Sequence, residues 1–134
     1  VGTGSGILAI IAAKLGATDV SAVDYDPTAL KVAHENVDEN AVQDIIHIGQ
    51  SDLLKQVEGK ADLIIANIIA DIIIRLFDKL EEHLEPEGTL LASGIISDRI
   101  ADVTASALAH GFVIDKVIEE KGWAAMRIRL GAKK

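Results

Sequence analysis

Apolar positions along this chain switch repeatedly between a helical repeat and a strand-like run. Ile7, Leu8, Ile11 and Leu15 recur at helical spacing, which predicts a first helix with that face inward, stopped by Gly16. Residues 20–23 form a short apolar strand closing at Asp24. Asp26 followed by Pro27 reads as an N-cap with proline in the first turn, and Leu30, Ala33 and Val37 line the helix that follows. Residues 45–48 are the next strand, ending near Asp52, and residues 63–66 are an unbroken apolar strand expected to be buried on both faces. Ile69, Ile72, Ile73, Leu76, Phe77 and Leu80 give the clearest helical stripe in the chain. Pro86-Glu87-Gly88 turns into a strand over 89–92, and a helix with Ile100, Val103, Ala107 and Leu108 inward ends at Gly111. The tail changes period. Residues 113–118, a turn at Lys121-Gly122 and alternating Ala124, Met126, Ile128 and Leu130 predict an antiparallel hairpin, with 131–134 frayed.

Strand–helix alternation implies parallel strands joined by right-handed crossovers, with helices on both faces. The expected fold is therefore α/β, a Rossmann-like doubly wound, mostly parallel sheet closed by a C-terminal antiparallel hairpin. A dehydrogenase sheet ordinarily ends in parallel strands, so the hairpin departs from that plan. A glycine-rich turn normally follows a first buried strand, and nothing precedes the turn at Gly2. The expectation is a first strand missing from the chain, and one cofactor-binding domain over 1–134 truncated at its N-terminus.

Composition narrows the chemistry. With 49% hydrophobic residues but only 3% aromatic, the core of this 134-residue chain must be aliphatic. A net charge of -8 opposes a surface that grips phosphates, so no direct nucleic-acid binding is expected. The absence of cysteine excludes disulfides, thiolate metal sites and a Cys nucleophile, and fits a reducing, cytoplasmic setting. His34, His47, His83 and His110 are far apart in sequence, so no metal site is expected. Asp62, Asn67, Asp71 and Arg75 interrupt the longest apolar stretch, which excludes a membrane span there. Glu81, Glu82, Glu85 and Glu87 read as a solvated helix end.

Candidate chemistry begins at Val1-Gly2-Thr3-Gly4-Ser5-Gly6. Glycines at these three positions permit positive φ and close approach by a ligand, and the following helix aims N–H groups and a positive dipole end above the turn. A phosphate or an amino-acid carboxylate suits that place; a tight turn with no ligand is the plain alternative. Asp24 lies 20 positions after Gly4, where an acid closing a strand can accept both ribose hydroxyls of an adenosine. That argument fits a nicotinamide cofactor and S-adenosylmethionine equally. Asp52 can receive an adenine amino group or cap the segment 53–57. Asn67 can N-cap the long helix, or present its carbonyl oxygen to the N–H groups of a substrate amine. Trp123 can lie near a site or anchor the hairpin on the core.

With these residues the chain resembles a class I S-adenosylmethionine-dependent methyltransferase. More narrowly it is similar to the family that methylates ribosomal protein eleven of the large subunit on amino groups. The resemblance rests on Gly2-Thr3-Gly4-Ser5-Gly6-Ile7-Leu8, Val23-Asp24-Tyr25-Asp26-Pro27, Ala66-Asn67-Ile68-Ile69-Ala70, Ser93-Gly94-Ile95-Ile96 and Gly122-Trp123, essentially end to end. It implies S-adenosyl-L-methionine as cofactor, a ribosomal protein as substrate, and Asn67 near the reacting methyl. The candidate cofactor residues are then Gly2, Thr3, Gly4, Gly6, Asp24, Tyr25, Asp52 and Asn67, with Asn67 also catalytic. The family's acid just before the glycines, its upstream threonine loop and its small recognition domain have no counterpart here. Rival readings are a methyltransferase acting on nucleic acid or a small molecule, a nicotinamide-dependent oxidoreductase, and a non-catalytic module.

Overall fold

The structure, a computed structural model, describes residues 1–131. It divides into two compact units, Val1–Gln56 and Val57–Lys134. In the first, α1 (Ile7–Lys14), β1 (Val20–Asp24), α2 (Pro27–Glu39) and β2 (Ile46–Gln50) follow one another, and β1 pairs with β2 in parallel from Val20↔Ile46 to Asp24↔Gln50. Asp26 caps α2 by accepting from the Thr28 amide at 2.9 Å, with Pro27 in the first turn. Ile10 and Ala13 of α1 join Ala22, Val37, Val42 and Ile46 in the core of this unit.

The inward face of α1 corrects the sequence reading. Ile7, Leu8, Ile11 and Leu15 are exposed, Leu15 at 83%, and Ile10 and Ala13 are the buried pair. The helix is apolar nearly all round, so its repeat does not single out a face. Contact with β1 and β2 falls instead on the side carrying Ile10, Ala13 and the partly buried Ala9.

The second unit is a four-stranded sheet in the order β3-β4-β6-β5, from β3 (Ala61–Asn67), β4 (Leu84–Ile96), β5 (Phe112–Glu120) and β6 (Trp123–Leu130). β3 runs parallel to β4, and β6 inserts antiparallel between β4 and β5. Lys121 at φ 52° and Gly122 at φ 84° make the two-residue hairpin turn, whose positive φ values match the twist of the flanking strands. α3 (Ala70–His83) buries Ile73, Leu76, Phe77 and Leu80 of its stripe together with Ala70, and α4 (Ile100–Ala109) buries Val103 and Ala107. Phe77 meets Phe112 of β5 with ring centroids 5.7 Å apart.

Several expectations change in this unit: Ile69 and Leu108, both expected on inward helix faces, are 63% and 57% exposed. Leu63 is 47% exposed and only Ile64 and Ala66 of β3 are buried, because among the described residues β3 pairs with β4 alone. Pro86-Glu87-Gly88 does not precede the strand but lies within β4. The register jumps from Ala61↔Leu84 to Leu63↔Thr89, so residues 85–88 bulge out of the ladder. Trp123 does not anchor the core: it is 56% exposed, opposite Ile96. Gly131 is tied down by its amide to the Gly111 carbonyl at 2.9 Å, and residues 132–134 of the frayed-tail expectation lie outside the described residues.

α4 ends beside α3 through His110. Its Nδ1 lies 2.7 Å from the Ser106 carbonyl and its Nε2 2.9 Å from Asp78 Oδ1. Both partners are acceptors, so both ring nitrogens must donate, which requires the imidazolium. The Ser106 carbonyl first and the Asp78 carboxylate second raise the pKa of His110 above its ordinary 6.5. A raised pKa gives stability that is full below the unfolded value and is lost as pH rises through the folded one. Thermal denaturation of wild type and His110→Ala should therefore differ most near about pH 6, with the gap closing toward about pH 9. A gap that widens with rising pH contradicts the assignment.

Candidate functional site

The glycine turn is built around one carboxylate. Asp24, at the end of β1, accepts from the Gly4 amide through Oδ2 at 2.9 Å and from the Asp26 amide through Oδ1 at 3.0 Å. The Thr3 amide donates to the Val23 carbonyl at 2.9 Å, and the Gly6 amide to the Thr3 carbonyl at 2.9 Å. Gly2, Gly4 and Gly6 stand at φ 67°, 53° and 84°, so three alternate residues occupy the left-handed region that a Cβ disfavours. Gly6 has a second constraint: a Cβ there would lie 3.3 Å from the Ala33 Cβ, so α2 packs directly on the turn. From the same helix, Asn36 Nδ2 donates to the Ser5 carbonyl at 2.9 Å.

This geometry leaves binding capacity in place. A carboxylate has about four lone-pair sites, and the two backbone amides use one on each oxygen of Asp24. A Cβ added at Gly4 would meet nothing within 4 Å, so the space over the turn is open. No side chain caps the start of α1, whose first turn also carries no acid. An anionic or strongly polar ligand group is what such a helix end accepts. These three features fit an adenosine-bearing cofactor with a polar tail.

Asp52 sits beside this cluster through the chain, because the Ser51 amide donates to the Asp24 carbonyl at 3.0 Å. Its amide donates to Gln56 Oε1 at 2.7 Å and its carboxylate lies 3.2 Å from Lys55 Nζ, while the buried Ser51 hydroxyl accepts from the Gln56 amide. The Ser51 hydroxyl also donates to the Leu53 carbonyl at 2.7 Å, so it bonds the segment at two points. Tyr25 is 71% exposed and takes part through its carbonyl, which accepts from Gln50 Nε2 at 3.1 Å. Gly2, Thr3, Gly4, Gly6, Asp24, Tyr25 and Asp52 therefore gather at the β1–β2 strand ends and the turn they support.

Asn67 belongs to the second unit, as the exposed last residue of β3 in register with Ser93. It does not cap α3, whose N-cap is Ile69 without a side-chain hydrogen bond. Among the described residues its amide takes no hydrogen-bond partner, which leaves both ends of that group available. The Ile68 amide donates to the Ser93 carbonyl at 3.2 Å and holds the strand end. Arg99, after β4, bonds Asp71 Oδ1 at 2.6 Å and Asp102 Oδ2 at 2.8 Å, fixing the first turn of α3. The Arg99 hydrogen bond, then its charge, lowers the pKa of Asp71. Sequence reasoning gave no role to Asn36, which is remote in the chain. Gly94 was seen only within a motif, although a glycine inside an apolar strand signals a bulge or close approach. Among the described residues no helix is long and apolar enough to cross a membrane, and no group of three or more acidic or histidine side chains is placed to hold a metal.

The turn predicts its own sensitivity. Gly6→Ala forces a Cβ against Ala33 at a positive φ and should cost about 1–3 kcal/mol in chemical denaturation. Ser5→Ala, whose side chain makes none of these bonds, should change stability by less than about 0.5 kcal/mol.

Comparison with known proteins gives concordant results. The family model described as ribosomal protein L11 methyltransferase matches residues 1–131. A curated relative of that name from Heliobacterium modesticaldum is 49% identical over 129 residues, covering 96% of this chain and 41% of its own length. One from Desulfitobacterium hafniense is 50% identical with the same shares. The chain thus spans about 41% of the length of these curated relatives. Among solved structures, ribosomal protein L11 methylase from Lactobacillus delbrueckii subsp. bulgaricus superposes with TM-score 0.94 at 37% identity, covering 98% of this chain and 67% of that one. An RNA methyltransferase from Salinibacter ruber, solved with S-adenosyl-L-homocysteine, has TM-score 0.77 at 20% identity, covering 99% and 79%, and shares the fold alone.

Proposed function

This chain belongs to the ribosomal protein L11 methyltransferase family, with its Rossmann-like fold, and from that premise we propose that it transfers methyl groups from S-adenosyl-L-methionine to amino groups of a ribosomal protein. The observation that carries the reading is the Asp24 carboxylate, locked to the glycine turn by the Gly4 amide at 2.9 Å with two lone-pair sites to spare. Asp24 accepts the ribose hydroxyls. Gly2, Thr3, Gly4 and Gly6 provide backbone approach and the open start of α1 for the polar tail, and Tyr25 and Asp52 flank the adenosine. The cofactor, when bound, supplies a methyl group already activated on a sulfonium sulfur.

The protein's task in such a reaction is alignment and control of protonation. The attacking amine must be neutral, since its lone pair forms the new N–C bond while the C–S bond breaks. Asn67 Oδ1 accepts an N–H of that amine and fixes the direction of its lone pair. An amide acceptor does this without the charge that would favour an ammonium. The exposed Ile69 beside it presents apolar surface that favours the neutral amine as water leaves. The acceptor is a lysine or N-terminal amine of the substrate protein, reached in the cytoplasm. The acidic net charge of -8 favours a basic protein partner over nucleic acid.

Calorimetry with S-adenosylhomocysteine and steady-state methylation of the substrate protein, both on the full-length protein, separate the two roles. Asp24→Ala should weaken ligand binding by more than about 10-fold, since charge-assisted hydrogen bonds are each worth roughly 1.5–3 kcal/mol. Asn67→Ala should keep binding within about 3-fold and lower kcat by about 10- to 100-fold. Equal binding by Asp24→Ala and wild type removes the ribose assignment.

A further inference from the structure

Gly94 leaves no room for a side chain beside Asn67. It stands at φ +79°, and a Cβ there would lie 2.7 Å from Asn67 Oδ1, 3.1 Å from the Ile68 carbonyl oxygen and 3.3 Å from the Ile68 nitrogen. The first of these distances is shorter than real Cβ contacts, and the atom involved is the end of the very side chain assigned to the acceptor amine. Gly94 also falls where the pairing of β4 with β6 shifts register, between Ala92 and Ile95. Within the same shift, the Ser93 carbonyl receives the Ile68 amide at 3.2 Å, so the end of β3 is held against it. Bulges of this kind re-aim neighbouring side chains beside active sites.

We propose that Gly94 is a positioning residue for methyl transfer: by lacking a Cβ, it lets the Asn67 carboxamide lie across the β4 bulge with Oδ1 held for the substrate amine. The proposal rests on the assignment of Asn67 to the acceptor. Gly94 combines a positive φ with a missing side chain, and Asn67 Oδ1 occupies the space a Cβ would need. With a methyl group at 94, the Asn67 side chain must rotate away, because the Ile68 backbone on the other side is also in close contact and cannot move as easily. Misplacement of a positioning group by about 1 Å is enough to cost about 100-fold in rate.

The test uses the full-length protein. Gly94→Ala should lower kcat by about 10- to 100-fold while KM for the substrate protein and affinity for S-adenosylhomocysteine stay within about 3-fold. Gly94→Asn, a residue that tolerates this backbone conformation better than alanine, should lose the same activity with less loss of thermal stability. In the Asn67→Ala background, adding Gly94→Ala should lower kcat no further, since the two act as one unit. A purely structural glycine gives a different pattern, with its penalty multiplying that of Asn67→Ala. Either that multiplication, or Gly94→Ala with kcat within about 2-fold of wild type, overturns the proposal and leaves the assignment of Asn67 standing. Full activity of Asn67→Ala alone overturns the acceptor assignment itself.

Discussion

The hydrogen bond from the Gly4 amide to the Asp24 carboxylate is the contact on which the first unit's functional surface depends. A turn with three glycines has more unfolded conformations to lose than an ordinary segment of its length, so something must select one of them. Asp24 does so from the end of β1. It ties Gly4 and Asp26 to one side chain, while the Val23 carbonyl beside it holds Thr3. The same acid thus joins β1, the glycine turn and the entry to α2. An acid is suited to this because amide–carboxylate bonds are roughly twice as strong as neutral ones. It also keeps acceptor sites that a neutral side chain would not have. The two backbone amides thus occupy one acceptor site on each oxygen of the group.

The second unit solves a different problem, the presentation of a neutral polar group at a strand end. Asn67 finishes β3, Ile69 starts α3, and Arg99 clamps the first turn of that helix to the segment after β4. The hairpin supports this edge from the other side. The Ser97 amide donates to the Gly122 carbonyl at 2.9 Å, so the turn between β5 and β6 is tied to the end of β4. Antiparallel β6 is what brings that turn to the C-terminal end of β4. A parallel closing strand would have placed its own start, not a hairpin turn, at a different end of the sheet.

Local rules made much of this legible. Asp26-Pro27 named the start of α2, the 3.6 repeat of Ile73, Leu76, Phe77 and Leu80 named the buried face of α3, and alternation over Ala124, Met126 and Ile128 named the inward face of β6. Where the pattern had no contrast, it failed. α1 is apolar on every side, and its buried face is chosen by contact with β1 and β2, which no local repeat encodes. Trp123, for which a place near a site and a core anchor are both open in the sequence, falls by the alternation of β6 on the outward face with Arg127 and Arg129. For the site, the glycines and Asp24 were readable because their spacing carries a mechanism. The bond from Gly4 to Asp24, the role of Asn36 and the closeness of Gly94 to Asn67 join residues 20 or more positions apart, and only the folded chain reveals them.

The most direct measurement is a crystal structure of the full-length protein with S-adenosylhomocysteine. Both ribose hydroxyls should lie within about 2.5–3.0 Å of the Asp24 carboxylate oxygens while the Gly4 amide keeps its bond to the same group. A ribose bound elsewhere, or one that displaces the Gly4 amide from Asp24, contradicts the ribose assignment.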